Sequence, residues 1–140
     1  DGMKKMSKSD PSDLSRINLT DNKDEILNKI KKAKTDPLLL PGEIKDLAKR
    51  PEAENLLVIY SSLKNQNLQS SVSEFSEKNF SEFKEKLSEV LTEKIEPISK
   101  EIKKLLDDEK YLDAILLEGS IKADKIASKK IKEMKGLVGF

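Results

Sequence analysis

The chain has 140 residues, enough for one domain with a modest core and hardly for two. Its 38% charged, 36% hydrophobic and 4% aromatic composition fits a helical, solvent-rich domain, and a net charge of +1 leaves no overall field to attract nucleic acid. It has no cysteine and no histidine, which excludes disulfides, thiol chemistry and zinc fingers and removes the commonest general base; no apolar run reaches the length of a membrane span, and no signal-peptide core opens the chain.

Residues 1–20 read as loop, because Gly2, Pro11 and the serines at 7, 9, 12 and 15 favour turns over helix. Within them stands Lys5-Met6-Ser7-Lys8-Ser9, followed by Asp10-Pro11. Two lysines three positions apart, interleaved with two serines, put two ammonium groups, two hydroxyls and a run of backbone N–H donors into one loop. That combination suits a polyphosphate whose negative charge grows during a reaction. Lys4 reads as a solvated neighbour. Arg16 can reach a phosphate or pair with Asp13, and we take the salt bridge. Ile17-Asn18-Leu19 is a brief extended segment.

Thr20 or Asp21 then caps a helix running to about Lys34. Ile26, Leu27, Ile30 and Ala33 form its apolar face, acids fill its first turn and lysines its C-terminal half, as the helix dipole favours. Pro37, Pro41 and Gly42 mark a surface connection with a short helical turn near Glu43 to Ala48. Pro51 suits the first position of the next helix, whose buried stripe is Ala53, Leu56, Leu57, Tyr60 and Leu63. It ends before Asn65-Gln66-Asn67, and a short helix follows around Leu68 to Phe75. Asn79 or Ser81 starts the longest element, an amphipathic helix from Phe80 to Leu106 with Phe83, Leu87, Leu91, Ile95, Ile98, Ile102 and Leu105 on its stripe. Pro97 predicts a kink that leaves the stripe intact. Asp107-Asp108 cap a helix with Leu112, Ile115 and Leu116 that Gly119 ends or bends. A last helix carries Ile121, Ala123, Ile126, Ala127, Ile131 and Met134 and frays at Gly136 and Gly139. All these apolar stripes are expected to be core.

The fold expected is therefore all-α, a helical bundle of about five to six helices preceded by an irregular catalytic loop. Residues 1–20 form the loop and its connection, and 21–140 the helical domain. Charge is uneven along that domain. Residues 74–118 hold thirteen acids against eight lysines, and 120–140 hold six lysines against two acids. Lys122, Lys125, Lys129, Lys130 and Lys132 fall partly on one face, which is either a solvated surface or a phosphate-backbone contact. The 25 lysines against Arg16 and Arg50 read as the imprint of an A/T-rich genome.

The pentapeptide resembles the signature loop of class I aminoacyl-tRNA synthetases. The chain as a whole resembles the bacterial-type tryptophanyl-tRNA synthetases. The resemblance rests also on Ile17-x-Leu19-x-Asp21, on Ile26-x-x-Lys29-Ile30-x-x-Ala33-x-Thr35-Asp36 and on Glu54-Asn55-Leu56-Leu57-x-Ile59-Tyr60. Pro97-Ile98, Leu112-Asp113, Glu118-Gly119, Ala123 and Ile126-Ala127 extend it, whereas residues 64–73 match less specifically. Tyrosyl-tRNA synthetases share the loop but not this downstream order. The resemblance implies ATP-dependent activation of tryptophan and its transfer to tRNA(Trp), in a cytoplasmic protein that is typically a homodimer. Lys5 and Lys8 would stabilise the departing pyrophosphate, with Met6, Ser7 and Ser9 completing the nucleotide contact and Mg2+ carried in with ATP.

Asp1-Gly2 has no initiator Met, and nothing upstream walls the loop, so we expect the back part of a longer protein. The family's nucleotide-binding fold and tryptophan pocket would lie before Asp1, and this stretch alone is expected to be inactive. The competing reading is a non-catalytic helical RNA- or protein-binding module derived from a synthetase. Salt-dependent tRNA affinity without any effect of ATP would mark such a module.

Overall fold

The structure, a computed structural model, describes residues 2–3 and 5–139; the reading of Lys4 lies outside them. Among the described residues there is no strand. A 3-10 turn at Asp13–Ser15 precedes α1 (Lys23–Lys32), and a second at Ile44–Lys49 leads into α2 (Pro51–Lys64). Then follow α3 (Leu68–Glu74), α4 (Phe80–Asp107) and α5 (Glu109–Val138). The all-α class is as read. Residues 1–100 and 101–140 form two separate compact units.

Local chemistry accounts for the helix starts. Asn22, one position after the expected cap, opens α1 with a reciprocal capping box: its side chain accepts the Glu25 N–H at 3.0 Å and its own N–H donates to Glu25 Oε2 at 2.7 Å. Asp21 is passed over because its carboxylate is engaged by the Asn18 N–H and by Lys29. Pro51 occupies the first turn of α2, and Asn65 closes that helix in the left-handed region at φ 53°. Asn67 caps α3 through Ser70 N–H, and Asn79 caps α4 through Glu82 N–H.

The core of the first unit lies between α1, α2, α3 and the front of α4. Ile26 and Ile30 meet Leu56 and Leu57 there, with Val72, Phe83 and Leu87. Tyr60, Phe75 and Phe83 interlock edge-to-face at its centre, with Phe75 4.9 Å from Tyr60 and 4.7 Å from Phe83. The α1 stripe departs from expectation: Leu27 is 37% exposed, and the buried positions run 26, 29, 30. The buried face thus takes in Lys29 and leaves Leu27 on its exposed side.

The α4 helix continues through Pro97, but its stripe does not stay in the core. Leu87 and Leu91 are buried, whereas Ile98 is 43% and Leu106 59% exposed.

In the second unit α5 is one helix of 30 residues where two were expected, and it exceeds the 28 of α4. Asp108 caps it through Tyr111 N–H at 3.0 Å. Gly119 lies mid-helix and does not break it; a single glycine there costs about 1 kcal/mol relative to alanine, less than the surrounding helix formers supply. The helix ends at Gly139 in the left-handed conformation (φ 83°) rather than fraying at Gly136. None of its residues is buried, and Ile126 is 71% exposed, which corrects the expectation that this stripe is core. Periodicity reports that a helix is amphipathic; it does not report that a partner covers it.

Candidate functional site

The segment from Lys5 to Asp10 is irregular but internally bonded. Asp10 N–H donates to Ser7 O at 3.3 Å, closing a turn with Lys8 and Ser9 at its tip. Ser7 Oγ accepts Ser9 N–H at 3.3 Å and lies 3.0 Å from Ser9 Oγ. Asp10 Oδ1 accepts Ser12 N–H at 2.8 Å across Pro11. The two hydroxyls expected to face a ligand thus bond each other, which leaves one hydroxyl proton to point outward.

Lys5, Met6, Ser7, Lys8 and Ser9 are all exposed. Among the described residues no carboxylate or carbonyl engages the ammonium of Lys5 or Lys8, and the N–H groups of Met6, Ser7 and Lys8 have no internal acceptor. The loop therefore offers two unpaired cations and three free amide donors on one stretch of backbone. A phosphate chain is the ligand such a set would satisfy.

A relay of polar side chains ties this loop to the helices. Arg16 forms the expected bridge to Asp13, Nη2 to Oδ1 at 3.0 Å, and its Nη1 also donates to Asp10 O at 3.1 Å and Ser7 O at 3.4 Å. Asp13 in turn meets Lys29 Nζ at 2.5 Å and accepts from Asn18 Nδ2 at 3.0 Å. Those hydrogen bonds, that of Lys29 foremost, hold the Asp13 carboxyl below its usual range. Lys29 reaches Asp21 Oδ2 at 2.6 Å. Burial alone would pull its ammonium down, but the hydrogen bonds to Asp13 and Asp21 outweigh that and raise its pKa.

Lys29 and Asp21 were missed as members of the site. The signal was present, since Lys29 stands three after Ile26 and four before Ala33, on the apolar face of α1. A charge at that register is buried and needs a partner.

The other flank of the loop is held by close approach. Gly2 lies against the first turn of α2, where a Cβ would stand 2.6 Å from Pro51 O, so only glycine fits. Between loop and helices lies a cavity of about 430 Å3, bordered by Lys5, Met6, Arg16, Ile30, Ala33 and Asn55.

A second hollow of about 770 Å3 between α1 and α4 includes Lys84, whose ammonium donates to Ala33 O at 2.6 Å and Lys31 O at 3.2 Å. That lysine caps the C-terminus of α1. On α5, Lys122 pairs with Glu118 and Lys130 with Glu133, whereas Lys125, Lys129 and Lys132 have no carboxylate partner among the described residues. Among the described residues no group of three acids or other ligating side chains could hold a metal.

Comparison with known proteins adds a second line of observation. Residues 1–100 match the family model described as tRNA synthetases class I (W and Y). The chain is 50% identical over its whole length to a tryptophan–tRNA ligase of Agrobacterium fabrum, and 46% identical to those of Caulobacter vibrioides and Rickettsia felis. It spans 40%, 41% and 42% of the lengths of those three relatives.

Proposed function

The chain belongs to the tRNA synthetases class I (W and Y), and from that premise we propose that it is the C-terminal part of a tryptophan–tRNA ligase. Residues 1–20 supply the catalytic ATP loop and 21–140 the helical domain on the tRNA side. The observation that carries this reading is the loop itself: Lys8 on a bonded turn and Lys5 just before it stand exposed, with no carboxylate partner among the described residues, in a chain matching such ligases over all 140 residues.

In the reaction, the tryptophan carboxylate attacks the α-phosphorus of ATP and pyrophosphate leaves; the tryptophanyl group then passes to the terminal ribose of tRNA(Trp). Charge builds on the departing pyrophosphate as the bridging bond breaks. Lys5 and Lys8 meet that charge with ammonium groups already free of carboxylates, so no internal pair has to break first. Met6, Ser7 and Lys8 add backbone N–H donors, and the Ser7–Ser9 pair one hydroxyl proton. Preorganised donors of this kind are worth about 100- to 1,000-fold in rate when one is removed. Mg2+, arriving with the nucleotide, would supply further neutralisation of the phosphates. The unpaired Lys125, Lys129 and Lys132 on α5 suit contact with the tRNA backbone. Tryptophan would bind outside these residues, and we take the whole protein to be a cytoplasmic homodimer. No helix among the described residues is long and apolar enough to cross a membrane.

The test is tryptophan-dependent ATP–pyrophosphate exchange by the full-length protein containing this segment. Lys8→Ala is expected to slow exchange about 100-fold or more with tryptophan affinity unchanged. An undiminished rate overturns the assignment and favours the non-catalytic RNA- or protein-binding module. The 140-residue chain alone is expected to give no exchange above background.

A further inference from the structure

Building on the loop's assignment to the departing pyrophosphate, we propose that Arg16 is a positioning residue for Lys8, with Asp13 and Lys29 anchoring it to α1. One guanidinium touches both ends of the turn that carries Lys8. Its Nη1 donates to Ser7 O at 3.4 Å and Asp10 O at 3.1 Å, and the turn's own closing bond, Asp10 N–H to Ser7 O, is 3.3 Å long. The turn is therefore closed as much by Arg16 as by its own backbone. From the same guanidinium Nη2 reaches Asp13, which Lys29 and Asn18 hold from the far side. Lys29 is 6% exposed and sits in the buried face of α1. The chain of contacts thus runs without a gap from helix core to turn.

The peptide geometry gives this contact a direction. No peptide bond among the described residues is cis, so the N–H of Lys8 points opposite to the carbonyl of Ser7. With that carbonyl drawn toward Arg16, the Lys8 N–H is turned away from the guanidinium and out to solvent. Lys5 lies upstream of the turn, and none of the bonds of Arg16 reaches it. The two lysines therefore differ: Lys8 is set by Arg16, whereas Lys5 is not. The planar guanidinium fixes the directions of donors that reach two carbonyls and a carboxylate from two separate nitrogens, so lysine at 16 would keep the charge and lose that geometry.

A double-mutant cycle in the full-length protein tests this, read as kcat and KM for pyrophosphate exchange with thermal melting as the folding control. Arg16→Ala is expected to lower kcat roughly 10-fold with KM for tryptophan within about twofold. In a Lys8→Ala background the same substitution should change kcat by less than about threefold, while in a Lys5→Ala background it should keep its full effect. A purely structural role would give equal losses in all three backgrounds. Equal losses, or Arg16→Ala at the parental rate while Lys8→Ala is slow, overturn the inference and leave the function standing. A Lys8→Ala enzyme at the parental rate overturns the function itself and the inference with it. If Arg16→Ala does not fold, Arg16→Lys takes its place in the cycle with the same expected pattern and the same overturning results.

Discussion

Lys29 Nζ lies 2.6 Å from Asp21 Oδ2, and both side chains are only 6% exposed. The same Asp21 oxygen accepts the N–H of Asn18 at 2.8 Å, so the pair fastens the segment before α1 to the face of α1 itself. A buried ion pair adds little over apolar packing, but removing one partner leaves the other charge stranded.

Lys29→Met should therefore cost about 3–5 kcal/mol, because Asp21 would remain buried without its cation. Urea unfolding followed by circular dichroism measures it. The double variant Lys29→Met/Asp21→Leu should recover much of the loss, since no buried charge is left. Equal destabilisation by single and double variants would mean that packing at position 29, not charge, holds the segment.

Arg50 does for residues 36–40 what Lys29 does for the loop connection. It clasps Asp36 with two bonds, 2.6 and 3.0 Å, and donates to Leu39 O at 2.6 Å. That guanidinium, foremost, holds the Asp36 carboxyl below its ordinary 3.8. A carboxylate with a depressed folded value stabilises fully above its unfolded value and loses that contribution as pH falls through the lower folded one. Asp13 acts in the same sense. Acid unfolding is thus expected to begin below about pH 4, and Arg50→Lys, which gives up the fork, should move its midpoint upward and cost about 1.5–3 kcal/mol at neutral pH. A midpoint unchanged by Arg50→Lys would show that other carboxylates govern the acid limb.

At the alkaline end the reporter is Tyr60. Burial first, then its hydrogen bond to Glu74 Oε1 at 2.8 Å, pushes its hydroxyl from 10.0 up to about 12. A raised folded value contributes stability that is whole below pH 10 and disappears as pH rises through about 12. With Tyr111→Phe removing the other, half-exposed tyrosine, absorbance at 295 nm isolates Tyr60. Its titration should fall near 12 and coincide with loss of helix; titration near 10 with helices intact would mean that the aromatic cluster is open to solvent.

The helices of the first unit were legible because each carried its own punctuation: Pro51 at a start, Asn65-Gln66-Asn67 at an end, and a 3.6-residue stripe between. Two features were not. The cap of α1 moved to Asn22 because Asp21 serves a partner eight residues on, and no local pattern announces a long-range ion pair. Gly119 looked like a helix end, yet chain direction there is set by good helix formers on both sides. At the loop, the pentapeptide stands out in the sequence through its donors and its resemblance to a synthetase signature, whereas the reach of Arg16 to both turn carbonyls, beyond its bridge to Asp13, is visible only in the folded chain.

The fate of the apolar stripes gives the last test, because two of them carry opposite expectations. Leu57 is fully buried at the centre of the first unit, and Leu57→Ala should cost about 2–5 kcal/mol through lost contacts and the cavity left behind. Ile126 is as apolar, but it is 71% exposed on α5. Ile126→Ala should change the stability of the 140-residue chain by no more than about 0.5 kcal/mol and, since alanine is the better helix former, should leave α5 helicity undiminished. Urea unfolding of both variants compares them directly. A loss of 2 kcal/mol or more at Ile126 would mean that another surface covers α5 in solution. Dependence of that loss on protein concentration would identify the cover as a second copy of the chain.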